Sequence, residues 1–439
     1  MSQAPIRKRL SKVNLLLGFL ALWFLPGSDL LMGQSQSRTQ EIQSARAEKM
    51  AHLWRESESP LVEQVNTLVE RGLLEGAQTG QGANGWQIVM GGMRSGQGMT
   101  VGLGYRRSDL FGERLGFRTT FRGTLKLASL VDFQLFFPRL QTENALFNLH
   151  AKYENSPQID FYGNGPDSSE DDRSSYRLET ASLSLNAGYK LGGILGLGIS
   201  GDMIHVHTGP GKRGGFPTTG EKLPEFGCTV SCFAPGSAPA LGEDTYYAGI
   251  GGFMFIDYLD SQAGPRSGGL YGYRARQFTD VDLEKFSFRQ VDFELQQYIP
   301  YFNKTRVIAL RALATLAFEK DGNTIPFYAQ PKLGGNDSLR GFQRYRFYDK
   351  HAIVFTAEHR WHGFTGLDMA LFVDAGKVAS RKADLDFNNL EVSYGFGFRF
   401  KLNEAYFMRI DLAGSREGFR FMWTFSDIFK VREAGSLQF

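Results

Sequence analysis

Near its C-terminus the chain alternates between two kinds of residue. In LEVSYGFGFRFKL (390–402), Val392, Tyr394, Phe396, Phe398 and Phe400 are interleaved with Ser393, Gly395, Gly397, Arg399 and Lys401. AYFMRIDLA (405–413) sets Tyr406, Met408, Ile410 and Leu412 against Arg409 and Asp411. GFRFMWTF (418–425) sets Phe419, Phe421, Trp423 and Phe425 against Arg420 and Thr424. Successive side chains of a strand point to opposite faces, so each run predicts a strand with one aromatic face and one face of glycine and charge. Ionised side chains exclude burial on both faces. A soluble sandwich also alternates, but aromatic residues opposed to glycine and charge suit lipid outside and water inside.

The rest of the chain fits that reading. With 52 Gly and 37 Phe in 439 residues, and a mean hydropathy of −0.27, it has no reserve of long apolar runs for a large soluble core. A net charge of +3 is too small to imply a nucleic-acid partner. Period-two segments predict sixteen strands, near 85–93, 98–106, 114–123, 127–137, 143–154, 173–190, 194–207, 243–258, 266–278, 283–299, 304–320, 344–361, 366–378, 387–402, 405–413 and 418–429. The expected fold is an all-β membrane protein, a 16-stranded antiparallel transmembrane β-barrel over 85–430 with a short tail at 431–439. An even count returns both ends to one side. The segments at 190–193, 361–366 and 402–405 are then short periplasmic turns, and 208–242 and 321–343 are long outward loops.

The N-terminus reads as an export signal over 1–34, with basic RKRLSK (7–12) before apolar VNLLLGFLALWFL (13–25). Cleavage is expected near 33–37, although an A-x-A site is missing; an uncleaved anchor is the alternative. Residues 35–84 read as periplasmic coil followed by an amphipathic helix in SPLVEQVNTLVERGLLEG (59–76), opened by Ser59-Pro60. After export, Cys228 and Cys232 of CTVSC are expected to form a short-loop disulfide, since no further cysteine could complete a metal site.

One stretch does not belong to the alternation. LGGNDSLRGF (333–342) is too rich in glycine for a strand interior, yet carries an arginine. It resembles the loop signature of the BamA/TamA superfamily of outer-membrane assembly and translocation barrels, also called the bacterial surface antigen family. Leu339, Arg340, Gly341 and Phe342 stand where that family has a hydrophobic residue before Arg-Gly-Phe or Arg-Gly-Tyr. FVDAGKV (372–378), with Asp374 and Gly376, is similar to its Phe-x-Asp-x-Gly strand motif, and FYGNGPDS (161–168) and the turn at 257–269 are similar to other recurring features. The resemblance implies that the loop folds into the barrel and its arginine meets acidic residues on the inner wall. Asp374 has polar parity, opposite to Leu371, Val373 and Ala375, and Glu358 shares parity with Thr356 and Arg360. Both are therefore expected to face inward, where a guanidinium can fork onto carboxylates. Residues 35–84 lack the β-α-α-β-β order of the family's POTRA modules, so the chain reads as a short member without them, needing a periplasmic partner or the barrel alone for client capture.

The function implied by the resemblance is protein assembly or translocation by a barrel in a bacterial outer membrane. Its partners would be the lipid bilayer and unfolded outer-membrane or secreted clients. The first strand, with Trp86, is short and glycine-bearing. The last ends in TFSDIF, where Ser426 and Phe429 resemble a barrel-recognition signal; Gly418 with Phe421 and Trp423 offers another register. A weak seam between them could open to a client strand. No cofactor and no enzyme chemistry are expected, because no G-x-S-x-G, P-loop or H-E-x-x-H pattern occurs, and His205 and His207 lack an evident third metal ligand. The rival readings are a passive porin and a lipid or polypeptide export channel.

Overall fold

A computed structural model describes Ser44, Leu74–Glu75 and residues 84–425, apart from 92, 95, 143, 213–215, 230–231, 263, 365 and 403–404. The expected signal (1–34), nearly all of the helix expected at 59–76, Ser426, Phe429 and the 431–439 tail lie outside the described residues. Leu74–Glu75, expected as the end of that helix, instead form a two-residue strand paired parallel to Ile88 and Val89, because their backbone groups find a strand edge there. The chain divides into two compact units, residues 1–58 and 59–439, and every strand lies in the second.

Among the described residues, sixteen strands make the wall. They are β1 (Gly85–Met90), β2 (Thr100–Leu110), β3 (Leu115–Thr124), β4 (Ser129–Phe136), β5 (Ala145–Phe161), β6 (Ser174–Leu191), β7 (Leu195–Pro210) and β8 (Asp244–Asp257). Then come β9 (Gly268–Asp280), β10 (Phe288–Tyr301), β11 (Arg306–Glu319), β12 (His351–Phe364), β13 (Leu367–Ala379), β14 (Glu391–Leu402), β15 (Ala405–Ser415) and β16 (Gly418–Thr424). Each is antiparallel to the next; β10 and β11, for example, run in register from Phe288↔Glu319 to Tyr301↔Arg306. No described helix is long and apolar enough to cross a membrane.

The wall is inside-out relative to a soluble protein. Trp86, Phe121, Ile199, Ile250, Tyr394 and Phe421 stand on the outer surface. Buried positions hold about as many polar and charged residues as apolar ones, and the five bulkiest fully buried side chains are Arg340, Arg346, Arg360, Arg399 and Arg409. Hydrocarbon solvates the aromatic face, while the charged face needs water or fixed partners.

The two longest connections, 211–243 and 320–350, lie at one mouth, as the sequence suggests. The opposite mouth has mostly short turns, such as Gly192–Ile194, but also the ten-residue 258–267. The long-loop mouth also has the short 125–128 and 416–417, so strict alternation in length does not hold. Strand 12 begins at His351 and not near 344, because residues 344–350 continue the long loop. Tyr406 also departs from the simple alternation. Phe400 pairs with Met408 but Lys401 pairs with Tyr406, so a bulge shifts the register by one residue. Tyr406 therefore turns inward, where its hydroxyl donates to Asp368 Oδ2 at 2.8 Å.

The long-loop mouth is roofed by apolar packing. Phe161 and Tyr176 from the wall meet Phe233 of one loop and Phe327 and Tyr348 of the other. Phe161 lies 5.2 Å from Phe233, 5.4 Å from Phe327 and 5.0 Å from Tyr348, ring centre to ring centre. Such edge-on aromatic contacts add to the effect of area burial. The Cys228–Cys232 disulfide lies in the 211–243 loop, one residue before Phe233.

Candidate functional site

The 320–350 loop enters the lumen instead of projecting from it. Its tip is wound by glycines and local bonds: Gly334 N donates to Ser338 Oγ at 2.8 Å, and Phe342 N to Leu339 O at 3.1 Å. Leu339 and Phe342 are buried against Leu313, Leu333, Phe347, Val354 and Val378, so they act as apolar pegs in the wall of β11 to β13. Between the pegs stands Arg340, fully buried.

Arg340 forks onto β13. Its Nε donates to Asp374 Oδ2 at 2.8 Å and its Nη2 to Asp374 Oδ1 at 2.7 Å, while its backbone N reaches Oδ2 at 3.2 Å. Nη1 donates to Glu358 Oε1 on β12 at 2.5 Å. The guanidinium carbon lies 3.4 Å from the centre of the Phe372 ring, adding a cation–π contact. Burial by itself would lower the Arg340 pKa; the charges of Asp374 and Glu358 overcome that and raise it, so the group stays cationic.

The wall carries the charge onward. Arg399 Nη2 donates to Glu358 Oε1 at 2.7 Å and Nη1 to Asp411 Oδ1 at 2.6 Å. Arg360 Nε reaches Glu358 Oε2 at 2.8 Å, and Arg409 Nη1 reaches Asp411 Oδ2 at 3.2 Å. Arg409 also donates to the loop carbonyl of Asn336. Three buried carboxylates, Glu358, Asp374 and Asp411, thus hold four buried guanidiniums across β12 to β15. A buried ion network is weak evidence of net stability, since desolvation offsets the attraction. Its geometric consequence is firmer: the loop is tied through Arg340 and the Asn336 carbonyl to three wall strands at once.

Small residues make room for it. A Cβ at Gly341 would lie 2.6 Å from Gly414 O and 2.7 Å from the Cβ atoms of Ser393 and Ser415. A Cβ at Gly397 would come within 2.6 Å of Arg399 Nη1 and collide with Asp411. Gly341→Ala is expected to displace the loop at a cost of about 1–3 kcal/mol. Lowered thermal stability with faster trypsin cleavage in 320–350 would register it; unchanged values would contradict the tight fit.

Gly376 faces inward on β13, where a Cβ would lie 2.6 Å from Ile353 O. Trp86 is on the outer surface of β1, its ring edge-on to Tyr105 at 5.2 Å. Neither touches the Arg340 cluster, and Cys228 and Cys232 lie in a different loop. His205 and His207 flank Asp244, with His207 Nδ1 at 2.7 Å from Asp244 Oδ1; no group that could hold a metal occurs among the described residues.

Several anchoring residues escaped the sequence reading. Arg399, Arg409 and Asp411 registered there only as polar-face residues, and nothing in a strand pattern says which loop they meet. Arg346 is the clearest omission. It is buried, and its Nε donates to Glu417 at 2.8 Å while Nη1 and Nη2 donate to Ser168 Oγ and O at 2.8 and 2.5 Å. The only signal was a pair of arginines at 344 and 346, four and six residues after Arg340. FYGNGPDS supplies Ser168, and Gly165 N of the same stretch donates to Tyr348 O at 2.7 Å.

Known proteins share the architecture. A family model described as the Omp85 superfamily domain matches residues 95–417. BamA from Haemophilus ducreyi lacking POTRA domains 1–3 matches at 16% identity and a TM-score of 0.57, over 78% of this chain and 71% of that one. CdiB from Acinetobacter baumannii matches at 11% identity and 0.47, over 78% of this chain and 59% of its own. CdiB from Escherichia coli matches at 12% identity and 0.48, over 77% and 61%. No curated protein matches the sequence.

Proposed function

From the premise that the chain belongs to the Omp85 superfamily, we propose that it resides in a bacterial outer membrane and assists the insertion or translocation of protein clients along the seam between β1 and β16. The observation that carries this reading is the occupied lumen. The 320–350 loop is pinned by Arg340 to Asp374 and Glu358, and the long-loop mouth is roofed by aromatic packing. A passive porin needs an unobstructed path, and this interior argues against one. Work is then done by the wall.

The wall is weakest at its two ends. Described β1 and β16 have six and seven residues, whereas β5, β6 and β7 have seventeen, eighteen and sixteen. A membrane strand ordinarily needs about 9–11 residues, so short strands here favour local thinning of the bilayer. On opening of the seam, a client strand taking the place of Leu74–Glu75 beside Ile88 and Val89 of β1 would satisfy its backbone groups before meeting hydrocarbon. The pinned loop would brace β12 to β15, so that opening is confined to the seam. No covalent step is involved. Client capture would fall to a periplasmic partner or to the barrel itself.

The test is reconstitution in liposomes with a urea-unfolded outer-membrane client, its folding followed by heat-modifiable gel mobility. We expect folding to accelerate at least about tenfold over empty liposomes, equivalent to roughly 1.4 kcal/mol off the barrier. Unchanged client folding together with a steady open conductance would favour a porin instead.

A further inference from the structure

A separate cleft lies at the long-loop mouth, on the line where β16 comes alongside the connection that follows β1. Its volume is about 190 Å³, and its walls come from Gly96, Lys126, Arg173, the 335–345 segment and the Arg420–Met422 stretch of β16. Four cations face this space, Lys126, Arg173, Arg344 and Arg420, against one lining carboxylate, Asp160. Like charges gathered in a partly desolvated cleft repel unless an anion joins them.

The cations' own bonds leave donors to spare. Arg173 Nη2 donates to Asp160 at 2.8 Å and Arg420 Nη2 to Glu170 at 3.2 Å, yet the Nε of each is buried without an acceptor among the described residues. Lys126 Nζ donates to Gly96 O at 2.9 Å, which holds its charge over the β1–β2 connection. Arg344 is half-buried, and no hydrogen bond or ion pair involves it among the described residues. Its side chain lies over Gly96, where an added Cβ would be 3.5 Å from Arg344 Cδ.

We infer that this cleft binds a phosphate-bearing anion, and that its natural occupant is the headgroup of a membrane lipid at the level of the long loops. A tetrahedral phosphate accepts several charge-assisted bonds at once, which suits convergent guanidinium donors. Lipid is favoured over free phosphate because β16, which walls the cleft with Arg420 and Met422, presents Phe421, 70% exposed, to the outer surface on its other face. A basic pocket beside an apolar outer face matches a phosphorylated amphiphile. A bound headgroup would bridge β16 and the first connection, linking lipid occupancy to the state of the seam.

The test uses the full-length protein, delipidated in non-ionic detergent and titrated separately with phosphatidylglycerol and with inorganic phosphate. Bound lipid is counted by native mass spectrometry, phosphate binding is followed by thermal shift, and cold gel mobility reports a folded barrel. Arg344→Gln breaks no hydrogen bond of the fold, and Lys126→Gln provides an independent second variant. Wild type is expected to retain phosphatidylglycerol, with apparent affinity falling at least about tenfold in the double variant. Stabilisation by inorganic phosphate alone, lost in the same variant, would keep the anion site and assign it to free phosphate. Equal lipid retention by wild type and variant, with no response to phosphate, would overturn the inference.

Discussion

Arg340→Ala should leave a folded barrel whose internal loop has come loose. Removing the guanidinium strands Asp374 in the wall with Ser393 Oγ, at 3.1 Å, as its remaining side-chain donor. Glu358 is better protected, since Arg360 and Arg399 still reach it at 2.8 and 2.7 Å. Breaking a buried pair from one side costs about 3–5 kcal/mol, because the abandoned carboxylate keeps its desolvation penalty. That cost falls on loop docking and not on the wall, whose ladders do not involve Arg340. The expected result is unchanged heat-modifiable mobility, rapid proteolysis within 320–350, and a client-folding rate close to that of empty liposomes. Arg340→Lys should lie between the two, because a single ammonium keeps the charge but cannot fork. A variant with wild-type protease resistance and full activity would show that Arg340 is not a strut.

Excising residues 321–349 and joining the ends with a short Gly-Ser turn should have the largest effect on permeability. The loop supplies Phe327, Tyr328 and Tyr348 to the roof and Leu339 and Phe342 to the wall pegs. Without it both the roof and the luminal filling lose their centre. Sixteen strands enclose an aqueous channel when nothing fills them, so bilayer conductance should rise at least about tenfold over wild type. If the excised barrel folds and stays as closed as the wild type, the obstruction lies outside this loop.

The two experiments separate roles that one loop combines. Arg340→Ala keeps the plug's mass in the lumen while removing its anchor; excision removes both. An activity lost in the first and not further reduced in the second would tie function to bracing and not to occlusion.

Strand number and facing were legible in the sequence because both obey a local rule. A residue's side of the wall depends on its parity, and parity is set by neighbours one and two positions away. Phe396 and Arg399 could be assigned to opposite faces without knowing any partner strand. Tyr406 shows where the rule stops: one residue of bulge, fixed by pairing with β14, turns it from lipid to lumen.

The sequence by itself determined a wall of alternating strands, greasy on one side and charged on the other, with a glycine-rich loop that fits neither. The family resemblance implied that Arg340 meets Asp374 and Glu358; which other charges meet was decided only by the tertiary structure. Arg399 is 41 residues from Glu358, and Arg346 is 178 from Ser168. The physical reason is that alternation is a property of covalent neighbours, whereas an ion network is chosen by which strands curl together around a shared interior.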